Sequence, residues 1–374
     1  MRRAPTSAKG TKLIGLAAEK EPITHPTELL DARRAGRTGL VLPTLSLGLW
    51  HTFGEHTPVH DQRERLLAAF DAGIWHIDTA NRYGPPHGHA EEVLGSVLAR
   101  DLAAHRSEIM VSTKAGNRIG PGAYGAGGSR KHLLEALDAS LGRLRLDHVD
   151  VFYLHRPDPE VDVDETVAAL AHTVTSGRAH YVGISNADAA TTTEYATKLR
   201  AAGVPLALHQ HRFSLLDRDA ESGGLHDVLG AERVGGVVYS PLAQGLLTDH
   251  YLAGSAPAGA RAGSSPFLGT EFIDDAYLAR TREANELATR HARTLAQLAL
   301  QWVLRAPAVT SAILGVSRVE QLHANIAALQ APPLDEETLA ALDRLYPAAS
   351  SRTAEDATAT NPATSSETAP SPAP

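Results

Sequence analysis

The chain has 374 residues, a net charge of −8 and no cysteine. The absence of cysteine excludes disulfides, thiol nucleophiles and zinc–thiolate sites, and the negative charge argues against a general nucleic-acid-binding protein. No apolar run approaches the roughly 18 residues that a membrane span needs, so we expect no membrane partner.

Both ends of the chain differ in composition from its middle. Residues 1–36 lack clear periodicity, and we expect a partly disordered extension or a peripheral turn of helix. Arg2-Arg3 resembles an export signal, but the apolar stretch after it is short and charged residues follow, which favours a cytoplasmic protein. Residues 347–374 are almost entirely Pro, Ala, Ser and Thr, and this composition predicts a disordered tail.

Between the two ends, residues 37–346 alternate apolar strands with helices, which is typical of a parallel sheet. Strands are predicted at 45–49, 75–78, 109–114, 149–155, 181–184, 206–210, 237–240 and 311–314. Helices are predicted from about 61, then at 91–100, 129–144, 165–176, 191–202, 225–229, 295–304 and 319–329, with two extra helices at 274–291 and 335–345. Asp61 with Glu64, and Ser317 with Glu320, have the spacing of helix caps.

Eight such units predict an α/β fold, a (β/α)8 TIM barrel with its active site at the carboxyl ends of the strands. The alternative is an open doubly wound sheet, which would have a glycine-rich turn after its first strand. Residues 50–54 follow the first predicted strand and contain no G-x-G-x-x-G pattern. The barrel is therefore favoured.

Four polar residues stand at, or just after, the ends of three consecutive predicted strands: Asp78, Tyr83, Lys114 and His155. Each has an ordinary structural explanation, because Asp78 and Lys114 can form a buried ion pair, Tyr83 can pack a turn, and His155 can be a core histidine. In a barrel all four converge on one end. If each residue had only its ordinary structural role, there would be no reason for all four to meet at one end of the barrel.

Together these residues suit proton delivery to a carbonyl oxygen. A nearby ammonium favours a phenolate, so we expect Lys114, held charged by Asp78, to lower the pKa of Tyr83 from its usual value of about 10. His155 can hydrogen-bond the phenol or the carbonyl oxygen. Tyr83 then donates its proton, and because no side chain supplies a hydride, a nicotinamide cofactor is implied.

Weaker patterns indicate where that cofactor binds. The segment from Gly315 to Arg318 opens a helix whose N–H groups suit an anion, and Arg318 favours NADPH through its ribose 2′-phosphate. The segment from Ser240 to Gly245 is a small, polar turn that suits a pyrophosphate. The amides of Ser185-Asn186 and of Gln210 can hold a carboxamide.

Catalytic metal is not expected, because the nineteen histidines include no H-E-x-x-H motif and no clean ligand triplet. The motifs G-x-x-x-x-G-K-[ST] and G-x-S-x-G are also absent. The glycine-rich run 120–128 predicts a flexible loop over the active site, where Tyr124 and Trp50 are candidate substrate walls.

The chain resembles the aldo-keto reductase superfamily, and more closely its subgroup of bacterial L-glyceraldehyde 3-phosphate reductases and potassium-channel β subunits. The resemblance spans about residues 37–346. It is carried by LSLGLWHTFG (45–54), DTANRYGPPHGHAEEVLG (78–95), STKAG (112–116), GPGAYGAGGSRK (120–131), VDVFYLHRPDP (149–159), YVGISN (181–186), SPLAQGLLT (240–248) and GVSRVEQL (315–322).

The resemblance implies NADPH-dependent carbonyl reduction, with Asp78, Tyr83, Lys114 and His155 as the catalytic residues. The cofactor contacts expected from the residues and the resemblance are Trp50, Asp78, Ser185, Asn186, Gln210, Phe213, Tyr239, Ser240, Pro241, Leu242, Gln244, Gly245, Arg261, Gly315, Ser317, Arg318, Gln321 and Asn325. The expected substrate contacts are Trp50, Tyr83, Tyr124, His155 and Arg156.

Four positions bear on how closely the family pattern is followed. His250 stands where the family often has Lys, and Ala324 where a Glu usually precedes the helix Asn, and both bear on cofactor affinity. Phe213 stands where a Tyr commonly stacks, and it either stacks on the nicotinamide or merely packs in its loop. Channel β subunits typically carry Asn in place of His155 and are poor catalysts, so His155 favours an active enzyme.

We therefore expect NADPH-dependent reduction of small aldehydes such as glyceraldehyde 3-phosphate or methylglyoxal, with the proton from Tyr83. Arg156 is the nearest candidate for a phosphate partner, although the Pro after it suggests a role in bracing the loop. The alternative function is an NADPH-sensing regulatory subunit with slow turnover, and a metal-dependent hydrolase is a distant third. The resemblance also raises the expectation of a homo-oligomer, a tetramer or larger.

Overall fold

The computed structural model describes residues 30–252, 254 and 273–348. The predictions of an extension over residues 1–29, of a tail over 349–374 and of a cofactor contact by Arg261 lie outside the described residues.

A short antiparallel pair, β1 (Ala32–Arg34) and β2 (Val41–Pro43), precedes the barrel. Leu42 is completely buried and packs in one cluster with Val151 and Leu208 of the barrel strands. The predicted extension or turn of helix is therefore wrong for residues 32–34, which form a strand because β2 provides a pairing edge next to the end of the barrel.

Eight parallel strands form a closed barrel, which confirms the predicted fold class. Register pairs Ala312 with Leu45 between the last and the first of these strands, and this pairing closes the ring. The carboxyl ends of parallel strands share one end of the barrel, which we call the mouth. In chain order the strands are β3 (Leu45–Gly48), β4 (His76–Asp78), β5 (Met110–Ala115), β6 (Val149–Leu154), β7 (Ala179–Ser185), β8 (Leu208–Arg212), β9 (Gly235–Tyr239) and β10 (Val309–Leu314).

Helices follow the strands and bury one face each against the sheet. Most of their bounds agree with the prediction within two or three residues, and the short α6 was not predicted. Within the described residues, every helix is too short or too polar to cross a bilayer. They are α1 (Val59–Asp71), α2 (His89–Arg100), α3 (Arg130–Leu144), α4 (Val163–Thr175), α5 (Ala189–Ala201), α6 (Asp219–Ser222), α7 (Leu225–Glu232), α8 (Asp275–Arg290), α9 (Leu295–Leu304), α10 (Val319–Ile326) and α11 (Glu336–Leu345).

The predicted cap at Ser317 is wrong, whereas Asp61 lies in the first turn of its helix as predicted but does not cap it. Helix α1 starts directly after Pro58, so Asp61 lies within its first turn and acts on the helix dipole instead of capping it. Helix α10 starts after Arg318 without any side-chain cap. Ser317 lies one position too early to cap α10, and its backbone N–H and Oγ donate instead to Gln321 Oε1, each at 2.9 Å.

Two helical glycines have opposite surroundings. A Cβ at Gly95 of α2 would lie 2.4 Å from the backbone oxygen of Arg143 and 2.7 Å from that of Leu144. A Cβ at Gly142 of α3 would meet nothing within 4 Å. Gly95 therefore permits the close approach of α2 to the end of α3, whereas Gly142 has no packing role.

We expect Gly95→Ala to destabilise the fold and Gly142→Ala to stabilise it. Overpacking at Gly95 costs about 1–3 kcal/mol, whereas alanine at Gly142 gains up to about 1 kcal/mol of helix propensity. The midpoints of urea unfolding of the two variants should shift in opposite directions from that of the unmodified chain. Shifts of the same sign would contradict this account of Gly95.

Candidate active site

A buried ion pair lies at the mouth between β4 and β5. Lys114 Nζ is 2.6 Å from Asp78 Oδ2, and both residues are at most 1% exposed. The ammonium also donates to the backbone oxygen of Thr79 at 2.8 Å. Burial lowers the pKa of Lys114, and the charge of Asp78 acts against that shift. The two residues are thus adjacent, as the sequence suggested.

The second carboxylate oxygen of Asp78 has two more donors. Ser112 Oγ donates to Asp78 Oδ1 at 2.7 Å, and Gln210 Nε2 donates to the same oxygen at 3.0 Å. Because β4 and β8 lie on opposite sides of the ring, the Gln210 bond spans the barrel. A carboxylate with three side-chain donors is well stabilised despite its burial.

Sequence reasoning missed Ser112 and gave Gln210 a different role. Ser112 lies two residues before Lys114 on β5, so the two-residue period of a strand could have placed both on the same side. Gln210 was expected to hold the carboxamide of the cofactor. In the structure this side chain is 2% exposed and its amide N–H₂ donates to Asp78, and the carboxamide contact stays a prediction.

Tyr83 lies beside the ion pair, on the turn after β4. Lys114 Nζ is 4.9 Å from the centroid of the Tyr83 ring, and the ring of His155 approaches it edge-on with centroids 5.9 Å apart. Burial, and then the charge of Asp78, raise the pKa of Tyr83 well above its usual value. The predicted lowering of the Tyr83 pKa by Lys114 does not prevail in this structure, because burial of the phenol is the largest effect and the charge of Asp78 adds to it. Tyr83 is therefore protonated at neutral pH.

His155 follows the end of β6 and is 8% exposed. Burial lowers the pKa of its imidazole well below the usual value, and the charges of Lys114, Arg82 and Arg156 lower it further. The ring is thus neutral at neutral pH and has one N–H donor and one acceptor. Its Nδ1 is buried and has no hydrogen-bond partner among the described residues. A polar ligand at the mouth would satisfy the imidazole.

The ends of β7 and β9 form one side of the mouth. Asn186 has a positive φ of 59°, and its Nδ2 donates to the backbone oxygen of His155 at 3.0 Å and to Ser185 Oγ at 3.2 Å. Its Oδ1 accepts from the hydroxyl of Tyr239 at 2.7 Å. The Asn186 amide therefore links three strand ends before any ligand is present.

The turn after β9 has an unusual backbone. Ser240, Ala243 and Gln244 have φ values of 54°, 47° and 59°, and Gly245 has a φ of 100°. Left-handed non-glycine residues are costly, and they cluster at binding sites, where successive N–H groups can surround an anion. Within this turn Pro241 is buried, whereas Leu242, Gln244 and Gly245 are partly exposed. The turn fits a pyrophosphate.

The start of α10 is a second anion site. Because the helix has no side-chain cap, its first N–H groups keep their positive dipole end open to a ligand. Gly315, Ser317 and Arg318 are exposed beside it, and Asn325 is 7% exposed about two turns further along the helix. The open helix start, the strained turn and the unpartnered Nδ1 of His155 together fit a dinucleotide.

Phe213 does not reach this surface. Its ring is completely buried, 5.0 Å from the ring of Trp302 and 4.7 Å from that of His226. The prediction that it stacks on a nicotinamide is therefore wrong, and the alternative of packing in the loop fits the structure. Tyr239 is a partly exposed aromatic residue on the rim, with the Arg212 guanidinium 5.6 Å from its ring centroid.

The predicted substrate residues lie on four separate loops around the mouth, after β3, β4, β5 and β6. Trp50 is partly exposed after β3, and Arg156 is exposed after β6. Tyr124 is 58% exposed, with the ammonium of Lys131 5.3 Å from its ring centroid. Arg82, which was not singled out from the sequence, is a second exposed cation that acts on His155.

Among the described residues, one group of histidines and carboxylates could share a metal ion: His148, Asp150 and His180. It lies where β6 and β7 begin, at the end of the barrel opposite the mouth. The mouth itself therefore has no such group within the described part of the chain.

Comparison with known proteins gives a consistent result. Residues 44–347 match the model of the aldo/keto reductase family. The L-glyceraldehyde 3-phosphate reductase of Escherichia coli strain K12 is 45% identical over 319 residues, which cover 84% of this chain and 92% of that protein. A probable voltage-gated potassium channel subunit beta of Oryza sativa subsp. japonica is 36% identical over 310 residues, covering 82% of this chain and 93% of that protein.

The fold agrees with a solved structure from the same family. The crystal structure of a thermostable aldo-keto reductase in complex with the inhibitor epalrestat matches with a TM-score of 0.68 and 29% identity. The match covers 84% of this chain and 100% of that one.

Proposed function

The chain belongs to the aldo/keto reductase family, and from that premise we propose that it uses NADPH to reduce small aldehydes to alcohols. The observation that carries this proposal is the group formed by Tyr83, Lys114, Asp78 and His155 at the mouth. A protonated phenol lies between a buried ammonium and a neutral imidazole. This arrangement supports proton transfer to an oxygen atom.

In the proposed reaction Tyr83 donates its phenolic proton to the carbonyl oxygen. The nicotinamide cofactor, when bound, supplies the hydride for the carbonyl carbon. The neutral imidazole of His155 donates a hydrogen bond to the same oxygen and orients it. The Lys114 ammonium, near the ring of Tyr83, stabilises the phenolate that remains after proton transfer, and Asp78 keeps that ammonium charged.

The cofactor would be held along the rim from β7 to α10. The turn from Ser240 to Gly245 would surround its pyrophosphate, and Arg318 at the start of α10 would bind its 2′-phosphate. Tyr239, and not Phe213, would stack on the nicotinamide ring. Ser185 and Asn186 lie beside it, where a carboxamide would complete their hydrogen bonding.

A phosphorylated aldehyde is the substrate class that the mouth supports best. Arg82 and Arg156 place two exposed cations within electrostatic range of His155, and arginine binds phosphate with charge-assisted hydrogen bonds. The Escherichia coli relative is named for glyceraldehyde 3-phosphate, which is such an aldehyde. Methylglyoxal would enter the same site without a phosphate contact. The need for a reduced nicotinamide supports the proposed cytoplasmic location.

Tyr83→Phe should abolish most of the reductase activity while cofactor binding is retained. Loss of the general acid is expected to lower kcat by at least about 10²–10⁴. Cofactor oxidation would be followed with NADPH, and separately with NADH, after addition of glyceraldehyde 3-phosphate, methylglyoxal and a nitrobenzaldehyde. NADPH binding would be measured by fluorescence.

Tyr153→Phe is the matched control, because Tyr153 also faces Lys114, with its ring centroid 5.7 Å from Nζ, but is completely buried. It should keep the rate within a few-fold of the unmodified chain. A Tyr83→Phe variant with a near-normal rate would exclude the proposed mechanism. Tight NADPH binding by the unmodified chain with no aldehyde-dependent oxidation would favour the NADPH-sensing function instead.

Arg318→Gln should weaken the preference for NADPH over NADH. Loss of one charge-assisted contact is expected to raise the KM for NADPH by about 10-fold or more and to leave the KM for NADH nearly unchanged. The exposed Arg100 at the end of α2 provides the control variant Arg100→Gln. An equal rise for both cofactors would show that Arg318 does not bind the 2′-phosphate.

Arg156→Gln should weaken the binding of phosphorylated aldehydes and leave the binding of neutral aldehydes nearly unchanged. The KM for glyceraldehyde 3-phosphate is expected to rise by about 10-fold or more, whereas the KM for methylglyoxal should change by less than about 3-fold. General damage to the loop would raise both KM values, so a change in their ratio reports the loss of a phosphate contact. If the KM values of both substrates rise equally, Arg156 braces the loop and does not bind phosphate.

A further inference from the structure

We propose that His148, Asp150 and His180 form a binding site for a divalent transition metal, best fitted by Zn²⁺, at the end of the barrel opposite the mouth. One ligand atom from each residue lies within 4.8 Å of the others. Two imidazoles and one carboxylate are a common protein ligand set for zinc, with water in the fourth position.

The site is built from two paired strands. Val149 of β6 pairs with Ala179 of β7, and Val151 pairs with Tyr181, so Asp150 and His180 lie side by side. His180 Nδ1 is 3.6 Å from Asp150 Oδ1. Tetrahedral zinc with bonds of about 2.0–2.1 Å separates neighbouring ligand atoms by about 3.3 Å. His180 Nδ1 and Asp150 Oδ1 therefore need to move only slightly toward each other to bind one zinc ion.

The carboxylate of Asp150 is oriented for a ligand. Its Oδ2 accepts from the backbone N–H of Val111 at 2.8 Å and from Arg106 Nη2 at 3.0 Å. Oδ1 faces His180 instead. Hydrogen bonds of this kind to a ligating carboxylate are typical of metal sites, where they fix the side chain before the metal arrives.

The two imidazoles are also arranged together. The rings of His148 and His180 have centroids 4.2 Å apart and a tilt of 32°. Burial, followed by the neighbouring His180 and Arg106, lowers the pKa of His148, so its ring is neutral and free to bind a metal at neutral pH. The charge of Arg106 opposes a cation, whereas those of Asp150 and Asp147 favour one. His180 has a side-chain exposure of 51%, which gives the metal access from solvent.

The metal would act on stability and not on chemistry. Asp150 and His155 are five residues apart on β6 and its loop, a distance of about 16 Å at the rise of a strand. A zinc ion would join β6 to β7 where they begin, far from the reacting atoms at the mouth. Its site is therefore independent of the proposed reductase function.

The test uses the full chain without an affinity tag. Titration with Co²⁺ should give visible absorption bands that saturate at one equivalent and disappear when Zn²⁺ is added. At a 100-fold excess over its Kd, Zn²⁺ should raise the midpoint of thermal unfolding by about 5 °C. His148→Gln and His180→Gln should each lower the metal affinity by at least about 10-fold and, at the same Zn²⁺ concentration, reduce that rise to about half or less.

His60→Gln is the matched control, because His60 is an exposed histidine on α1 with no place in the cluster. It should bind Co²⁺ like the unmodified chain. Aldehyde reduction without metal should be equal in all four proteins, which shows that the variants are folded. Equal Co²⁺ affinity in His148→Gln, His180→Gln and the unmodified chain would overturn the proposal, as would an equal loss in His60→Gln.

Discussion

The buried ion pair between Asp78 and Lys114 is the constraint on which the mouth depends. Two charges removed from water are tolerated only when their partners are complete, and breaking one such pair costs about 3–5 kcal/mol. Here the carboxylate also accepts from Ser112 and Gln210, and the ammonium also donates to Thr79. The pair therefore connects β4, β5 and β8, so the charges that act on Tyr83 are fixed by strands and not by loops.

The same burial sets the protonation of Tyr83 and His155, the two groups proposed to act on the substrate. It raises the pKa of Tyr83 and lowers that of His155, so both are neutral hydrogen-bond donors at neutral pH. Lys114 is the charged group beside them. A phenolate formed at Tyr83 would gain the attraction of this ammonium, which the neutral phenol does not. In the proposed reaction this attraction would offset part of the cost that burial imposes on the phenolate.

The sequence allowed prediction of the strands and of the residues at their carboxyl ends, because strand periodicity and polar strand ends are local patterns. It did not allow prediction of partners across the barrel. Gln210 bonds to Asp78 over 132 positions of sequence, and Phe213 is withdrawn into the core by Trp302 and His226. Both outcomes depend on ring closure and helix packing. The predicted cap at Ser317 is wrong for a local reason, because Gln321, four residues along the chain, accepts hydrogen bonds from the N–H and Oγ of this serine.

The two ends of β6 show how the surroundings of a histidine decide its chemistry. His155 is surrounded by the cations of Lys114, Arg82 and Arg156, which repel a metal ion but leave a neutral imidazole that can donate to a carbonyl oxygen. His148 lies beside an oriented carboxylate and a second imidazole. One strand therefore presents a histidine suited to hydrogen bonding at the mouth and a histidine suited to metal ligation at its start, and the difference lies in the neighbouring charges and not in the residue.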